Sequence, residues 1–467
     1  MKKTTLLIIS IILSYGAYAQ IESHRAVQSK VGTNGIVRGV PGSPEMVTYC
    51  EYNHVGHFML TGAPPPLHPF PIDSTWHILD FRIIYSNNIH YVVFCGTVTH
   101  TYPDTVPALN GQSYQVNDVQ YTVGLIGYFN LSGLYGTSMI FQAIEDSSVT
   151  KFTKVATLCD TDYLYAIGDS VRYVPHIVNG DTAGYYSYSK SCLYKIETWH
   201  SFFQNYYTYP DPTVYVTKYY ANKVDLTDIS ATPHYVTAVG DFADATGKGL
   251  CLIRYGTNDA SAGDAYRYYT IDEPLSDYHS IGFDDKDYLM AACLAVKDDN
   301  YWTSIRCVDL NSMHMFNAQQ MKLANKAEPS ELAYVKTDAS VVMQIYLHNA
   351  FPPNPSIIET FHFRIDPYNM SNYNSTGFYY PGGYHSTVCC VDDKYAAAFN
   401  GQQWLLKDML QGYNNTCYLY GSNYVETQEP LEPEPFDCLY EAPVKIKKLM
   451  NMKDNISVDC GQYCTNP

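Results

Sequence analysis

Two short stretches each set aspartates and a lysine before an apolar run: CVDDKYAAAF at 390–399 and FDDKDYLMAAC at 283–293. Clustered carboxylates can hold a hard cation or share acid–base work, provided that several oxygens converge. Two neighbouring aspartates on one turn supply too few. His54 and His57 form H-x-x-H, but the glutamate of a zinc-helix H-E-x-x-H is missing. No G-x-S-x-G elbow and no phosphate-cradling glycine loop occurs. The carboxylates and histidines near strand ends, Asp169, Asp241, His100 and His348, remain as acid–base candidates. The expectation is therefore no assigned catalytic residue, no metal and no cofactor.

Aromatic side chains are the stronger signal. The chain of 467 residues carries 46 tyrosines, and aromatics make up 15% against 16% charged residues. They crowd certain connections: Tyr102 and Tyr114 in one, Tyr173, His176, Tyr185, Tyr186 and Tyr188 in another, then Tyr301, Trp302 and Phe351. Tyr and Trp offer large, rigid contact area with a polar tip. Such a set suits the apolar face of a sugar or a protein partner, so these ten residues are the expected ligand-binding set. The formal net charge is −17, which repels nucleic acid and anionic lipid. The expected partner is a carbohydrate or a protein, not nucleic acid. Oligomeric state is left open.

The elements that must position these residues repeat. Each unit has an apolar strand, a few turn residues and a second apolar strand that usually opens on tyrosine. Tyr91, Tyr163, Tyr235, Tyr288 and Tyr395 mark it, with Val341 at the remaining site. The period is about 72 residues at first and about 53 later. Where two units have Asp-Asp-Lys, others have Asn87-Asn88, Asp160-Thr161-Asp162, Thr232-Pro233 or Thr337-Asp338. The shared property is turn chemistry, because Asn and Asp bond their own backbone and tolerate left-handed geometry. A third strand and a more polar fourth follow in most units.

Strands of falling apolarity in repeated sets of four resemble a β-propeller, kelch-like or NHL-like in general architecture, over residues 76–422. The resemblance implies an all-β fold of six or seven four-stranded blades, with the apolar second strand near the axis and the polar fourth at the outer edge. It implies no site residue, since no family signature is present. Residues 1–19 read as a signal peptide: Lys2 and Lys3, an apolar run, then Ala17-Tyr18-Ala19. The run is too short to span a bilayer. A secreted, periplasmic or cell-surface location is expected. Residues 20–75 are an N-terminal segment that forms a closing strand or extra blade. Residues 426–435 are an acidic Pro-rich linker, and 436–467 a Cys-containing tail. Thirteen cysteines in an exported chain suggest disulfides, with Cys95, Cys251, Cys293 and Cys307 as buried thiols or inter-strand bridges. The function expected is a binding or adhesion module rather than an enzyme. The alternatives are a glycan-active propeller hydrolase or lyase, and a structural surface protein.

Overall fold

The structure is a computed structural model. It describes residues 24–28, most of 35–59, 76–196, 216–369 and 380–408, then 424–442 and 445–449. The signal peptide, the 198–212 stretch, Tyr102, Phe351, Cys460 and Cys464 lie outside the described residues. The described chain is almost wholly β-strand. Its only helical piece among the described residues is a single 3-10 turn at Lys336–Asp338.

The repeats fold as antiparallel sheets in a β-propeller. One sheet holds Val224–Ala231, Tyr235–Asp244, Gly247–Gly256 and Asp264–Tyr269 in order. The next holds His279–Phe283, Tyr288–Lys297, Asn300–Asp309 and His314–Lys322. Their middle strands are near-continuous apolar runs because both faces are covered by neighbouring sheets. The fourth strand Asp264–Tyr269 is more exposed than they are.

Uniform four-stranded blades are not what forms. Among the described residues, five sheets of three to six strands stand separately, and one sheet has ten strands. That large sheet joins the first two repeats through Met139–Ile144 and Val149–Thr157, which meet at Ile144↔Val149. Only four residues separate the two in the chain, so an outer strand is brought to pair with the next inner one. Gly35–Gly39, Glu45–Cys50 and His54–Met59 make a three-stranded sheet. His24–Gln28 becomes the outer strand beside Gln403–Asp408, so the N-terminus completes the last repeat.

The first strand of each unit, not the second, lies innermost. Gly35–Gly39 touches Trp76–Ser86, which touches Val149–Thr157, then Val224–Ala231, His279–Phe283, Ala327–Val335 and Thr387–Val391, and this last touches Gly35–Gly39 again. The second strand is apolar because it sits between sheets. Cores fill these inter-sheet gaps. Phe283, Met290, Ile305 and Met321 of one sheet pack on Leu332, Met343, Ile345 and Phe363 of the next. Each such side chain contributes about 1.5–3 kcal/mol on burial.

The eight cysteines whose side chains are described form no disulfide, so the expected bridges are not found among them. Cys95, Cys251, Cys293 and Cys307 are buried in these cores, where a thiol acts as a small hydrophobe.

Candidate functional site

Four innermost strands carry the same irregularity. Leu79, Thr153, Thr227 and Ser330 are each an extra residue that breaks the register with the second strand. A bulge re-aims the side chain beside it. Here the next residues are Asp80, Lys154, Asp228 and Glu331, and all four turn toward the axis. At three of the bulges a glycine faces the extra residue: Gly96, Gly168 and Gly240. A Cβ on Gly168 would stand 1.8 Å from the Lys151 carbonyl oxygen, and one on Gly240 2.0 Å from that of Asp225. The bulged carbonyl leaves room for glycine alone.

The axis is thus polar. Arg38 donates to Asp80 at 2.7 Å and lies 3.4 Å from Glu331, and Arg82 donates to Asp80 at 2.8 Å. Burial alone would raise the Asp80 carboxyl, but Arg82, Arg38 and Lys154 hold it below the usual range. The bulge carboxylates also fasten neighbouring repeats. Asp80 accepts from the Val155 amide at 3.1 Å, and Asp228 from the Ser280 amide at 2.6 Å. Lys154 is half-buried, with no hydrogen-bond partner among the described residues. Burial would lower its pKa, yet the charges of Glu331, Asp228 and Asp80 raise it. Burial pushes the His279 imidazole down, toward the neutral form.

A second group gathers at one end of the propeller. Asp225 pairs in register with Asp241, and Lys151 with Asp169. Ser191 Oγ donates to Asp225 at 2.9 Å. Burial first, and the Asp225 charge second, raise both Asp169 and Asp241 above the ordinary carboxylate range; Asp277 adds to both. Among the described residues no group of three or more His, Cys, Asp or Glu is arranged to hold a metal. Of the four acid–base candidates named from sequence, Asp169 and Asp241 therefore converge on one carboxylate. His100 and His348 end the strands Ile89–His100 and Ser340–His348, and their side chains lie outside the described residues.

The aromatic ribbon rises from this acidic end. Leu164–Val178 and Asp181–Ile196 pair along their full length. Their neighbours stop sooner: Val149–Thr157 pairs only as far as Val171, and Val216–Ala221 only as far as Cys192. The outer part of the hairpin, from Arg172↔Tyr188 to Val178↔Asp181, has no further strand beside it among the described residues. It carries Tyr173, His176, Tyr185, Tyr186 and Tyr188 as strand residues rather than loop residues. Tyr114 lies on a smaller ribbon, Asp104–Pro107 with Ser113–Val116, between the second and third strands of the preceding repeat. Both ribbons therefore stand at the same end. Tyr301 is 47% exposed at the start of Asn300–Asp309, beside the tight turn at Asp298-Asp299. Trp302 is buried at 8%, with the Lys322 ammonium 5.7 Å over its ring.

The opposite end holds the Asp-Asp-Lys turns. Asp284, Asp285 and Asp393 take left-handed φ of 65°, 45° and 54°. Asp287 accepts from the His234 amide and ring and from Thr232 Oγ1, at 2.9–3.0 Å, which ties adjacent sheets. Lys336 pairs with Asp285, and Thr337 N donates to the Asp393 carbonyl. These turns are fasteners.

Sequence reasoning missed the bulge residues. A signal existed: Gly96, Gly168 and Gly240 recur at the period of the early repeats, each closing a second-strand run. Comparison with protein-family models and with curated proteins finds no match. The fold defines the chain as a β-propeller protein, and no helix among the described residues is long and apolar enough to cross a membrane.

Proposed function

We propose that this propeller is a binding module that takes a neutral polyhydroxylated ligand, a glycan, at the end where the two ribbons rise. The carrying observation is that the tyrosine-bearing 172–188 hairpin stands directly on the Asp169, Asp225 and Asp241 group. Tyrosine faces stack on the apolar side of a sugar ring, while carboxylates accept its hydroxyls. A rigid sheet holding functional residues on its end connections is a common way to build such a site. Export is part of this proposal, since glycans of this kind are met outside the cytoplasm. The expected set is Tyr102, Tyr114, Tyr173, His176, Tyr185, Tyr186, Tyr188, Tyr301, Trp302 and Phe351, of which Trp302 is buried on the face of its strand opposite Tyr301. The test is a glycan array on the purified protein and on a variant in which 173–188 is replaced by a two-residue turn. A hit that disappears in the folded variant supports the assignment. A hit that survives moves the site elsewhere.

A second reading, a glycan-active hydrolase or lyase, is favoured by one observation. Asp169 and Asp241 are held toward the protonated form beside Asp225. A carboxyl raised toward the protonated form can serve as the general acid in cleavage of a glycosidic bond. Cleavage of an array-positive glycan, lost in Asp241→Asn and in Asp169→Asn, would carry this reading. Binding without cleavage would end it.

A further inference from the structure

After the last repeat the chain runs back along the outside of the propeller. Tyr424–Thr427 pairs with His314–Lys322, Glu434–Pro435 with Asp264–Tyr269, Leu439–Ala442 with Val216–Ala221, and Lys445–Leu449 with Met139–Ile144. Each pairing is antiparallel and covers an outer strand that would otherwise present an open edge. The Pro-rich 426–435 stretch is extended and packed. Gln428 N donates to the Ala318 carbonyl at 2.9 Å, and Leu431 packs on the core below. Arg267 grips Glu434 with two nitrogens, at 2.8 and 3.3 Å, and lies over Phe436. The segment is a strap across four successive strand sets.

Its anchors are individually weak. Several pairings are only two to four residues long. Pro430, Pro433 and Pro435 cannot donate to a ladder. The Arg267–Glu434 pair is solvent-exposed on the Glu434 side, where ion pairs contribute little. Midway along the strap sits one deeply buried side chain. Cys438 is 1% exposed, and its carbonyl accepts from the Asn222 amide at 2.8 Å. Its thiol lies beside that of Cys251, a fully buried residue of Gly247–Gly256, in the same packed core. Both belong to one core cluster with Phe242 and Tyr255. Strap and propeller body thus each supply one sulfur to the same contact.

We propose that Cys251 and Cys438 are a redox modification site: a disulfide between them, closed by exchange with a small-molecule disulfide of the glutathione class, locks the strap to the propeller. Cys438 travels with the strap and meets the oxidant when the strap is lifted. Its thiolate attacks one sulfur of the oxidant and expels one thiolate, leaving a mixed disulfide. On docking, Cys251 gives up its proton and attacks Cys438 Sγ, which expels the second small thiol. The two protein thiols lose two protons and two electrons, and the oxidant leaves as two thiols.

The test uses the full chain in mixtures of oxidised and reduced glutathione, both on the folded protein and during refolding from denaturant. Alkylation, non-reducing digestion and mass spectrometry read the cross-link. The expected product joins the peptides holding 251 and 438. Proteolysis of the 426–435 stretch should slow at least about tenfold on closure, recover with dithiothreitol, and stay unaffected by oxidant in Cys251→Ala and Cys438→Ser. Absence of this cross-link under both regimes overturns the proposal. So does a cross-link that leaves the strap equally open to proteolysis.

Discussion

At the residue scale, the carboxylates divide by environment. Asp80 and Asp287 accept several hydrogen bonds and stay ionised despite burial, so they hold neighbouring repeats together. Asp169 and Asp241 face Asp225 with little to compensate, and their raised pKa values signal repulsion. A carboxyl whose folded pKa exceeds its unfolded value binds protons more tightly when folded. Its stability contribution is greatest below the ordinary carboxylate range and is lost as pH rises through the raised value. Asp241→Asn should therefore stabilise the protein at neutral pH, by less than about 1 kcal/mol since the group is partly exposed. The gain should vanish in acid. Thermal melts of wild type and variant across pH 3–8 (a range chosen about the usual carboxylate values) would read it, and a loss of stability at neutral pH would refute it. Tyrosine shows the same division. Tyr165, Tyr194, Tyr255 and Tyr268 are fully buried between sheets, whereas Tyr301 is open to solvent. Counting tyrosines cannot separate the two roles, because a ring with a polar tip suits both.

At the element scale, the bulged first strand organises the molecule. Its extra residue turns one charged side chain to the axis, and the glycine opposite accepts the displaced carbonyl. Gly168→Ala should cost about 1–3 kcal/mol through the forced backbone shift, visible as a lower denaturant midpoint. Gly263→Ala is a control of a different kind, because its crowding is with the Tyr255 ring. Equal stability of Gly168→Ala and wild type would mean that the bulge is not under that constraint. The ribbon is the opposite sort of element. A two-stranded hairpin is marginal alone, and beyond Val171 this one gains no sheet partner among the described residues. Its shortening to a two-residue turn should therefore abolish ligand capture while leaving the melting transition nearly unchanged.

At the scale of the whole molecule, the ring is closed by parts far apart in sequence. His24–Gln28 supplies the outer strand of the last repeat, and the strap covers outer strands elsewhere. Deleting 24–28 should expose the edge of Gln403–Asp408. Amide exchange should then quicken first in Gln403–Asp408 and Tyr395–Phe399, before the 224–322 sheets. Uniform exchange across all sheets would instead show that the ring melts as one unit.

Much of this was legible in the chain itself. Alternating and continuous apolar runs, turn residues at a regular period and scarce charge determine short antiparallel strands in repeated sets, because pleat periodicity and turn chemistry are local. The Asp-Asp-Lys motif was readable as a turn for the same reason, and its left-handed residues bear this out. Which strand faces the axis was decided only by tertiary structure. An innermost strand with Asp80, Lys154, Asp228 or Glu331 looks less apolar than its neighbour, yet closure of the ring gives those charges one another as partners. The meeting of Asp169 with Asp225, the strap's pairings and the contact of Cys251 with Cys438 likewise join residues from different sheets. No local pattern encodes such contacts, since they depend on how the packed sheets bring distant positions to the same point.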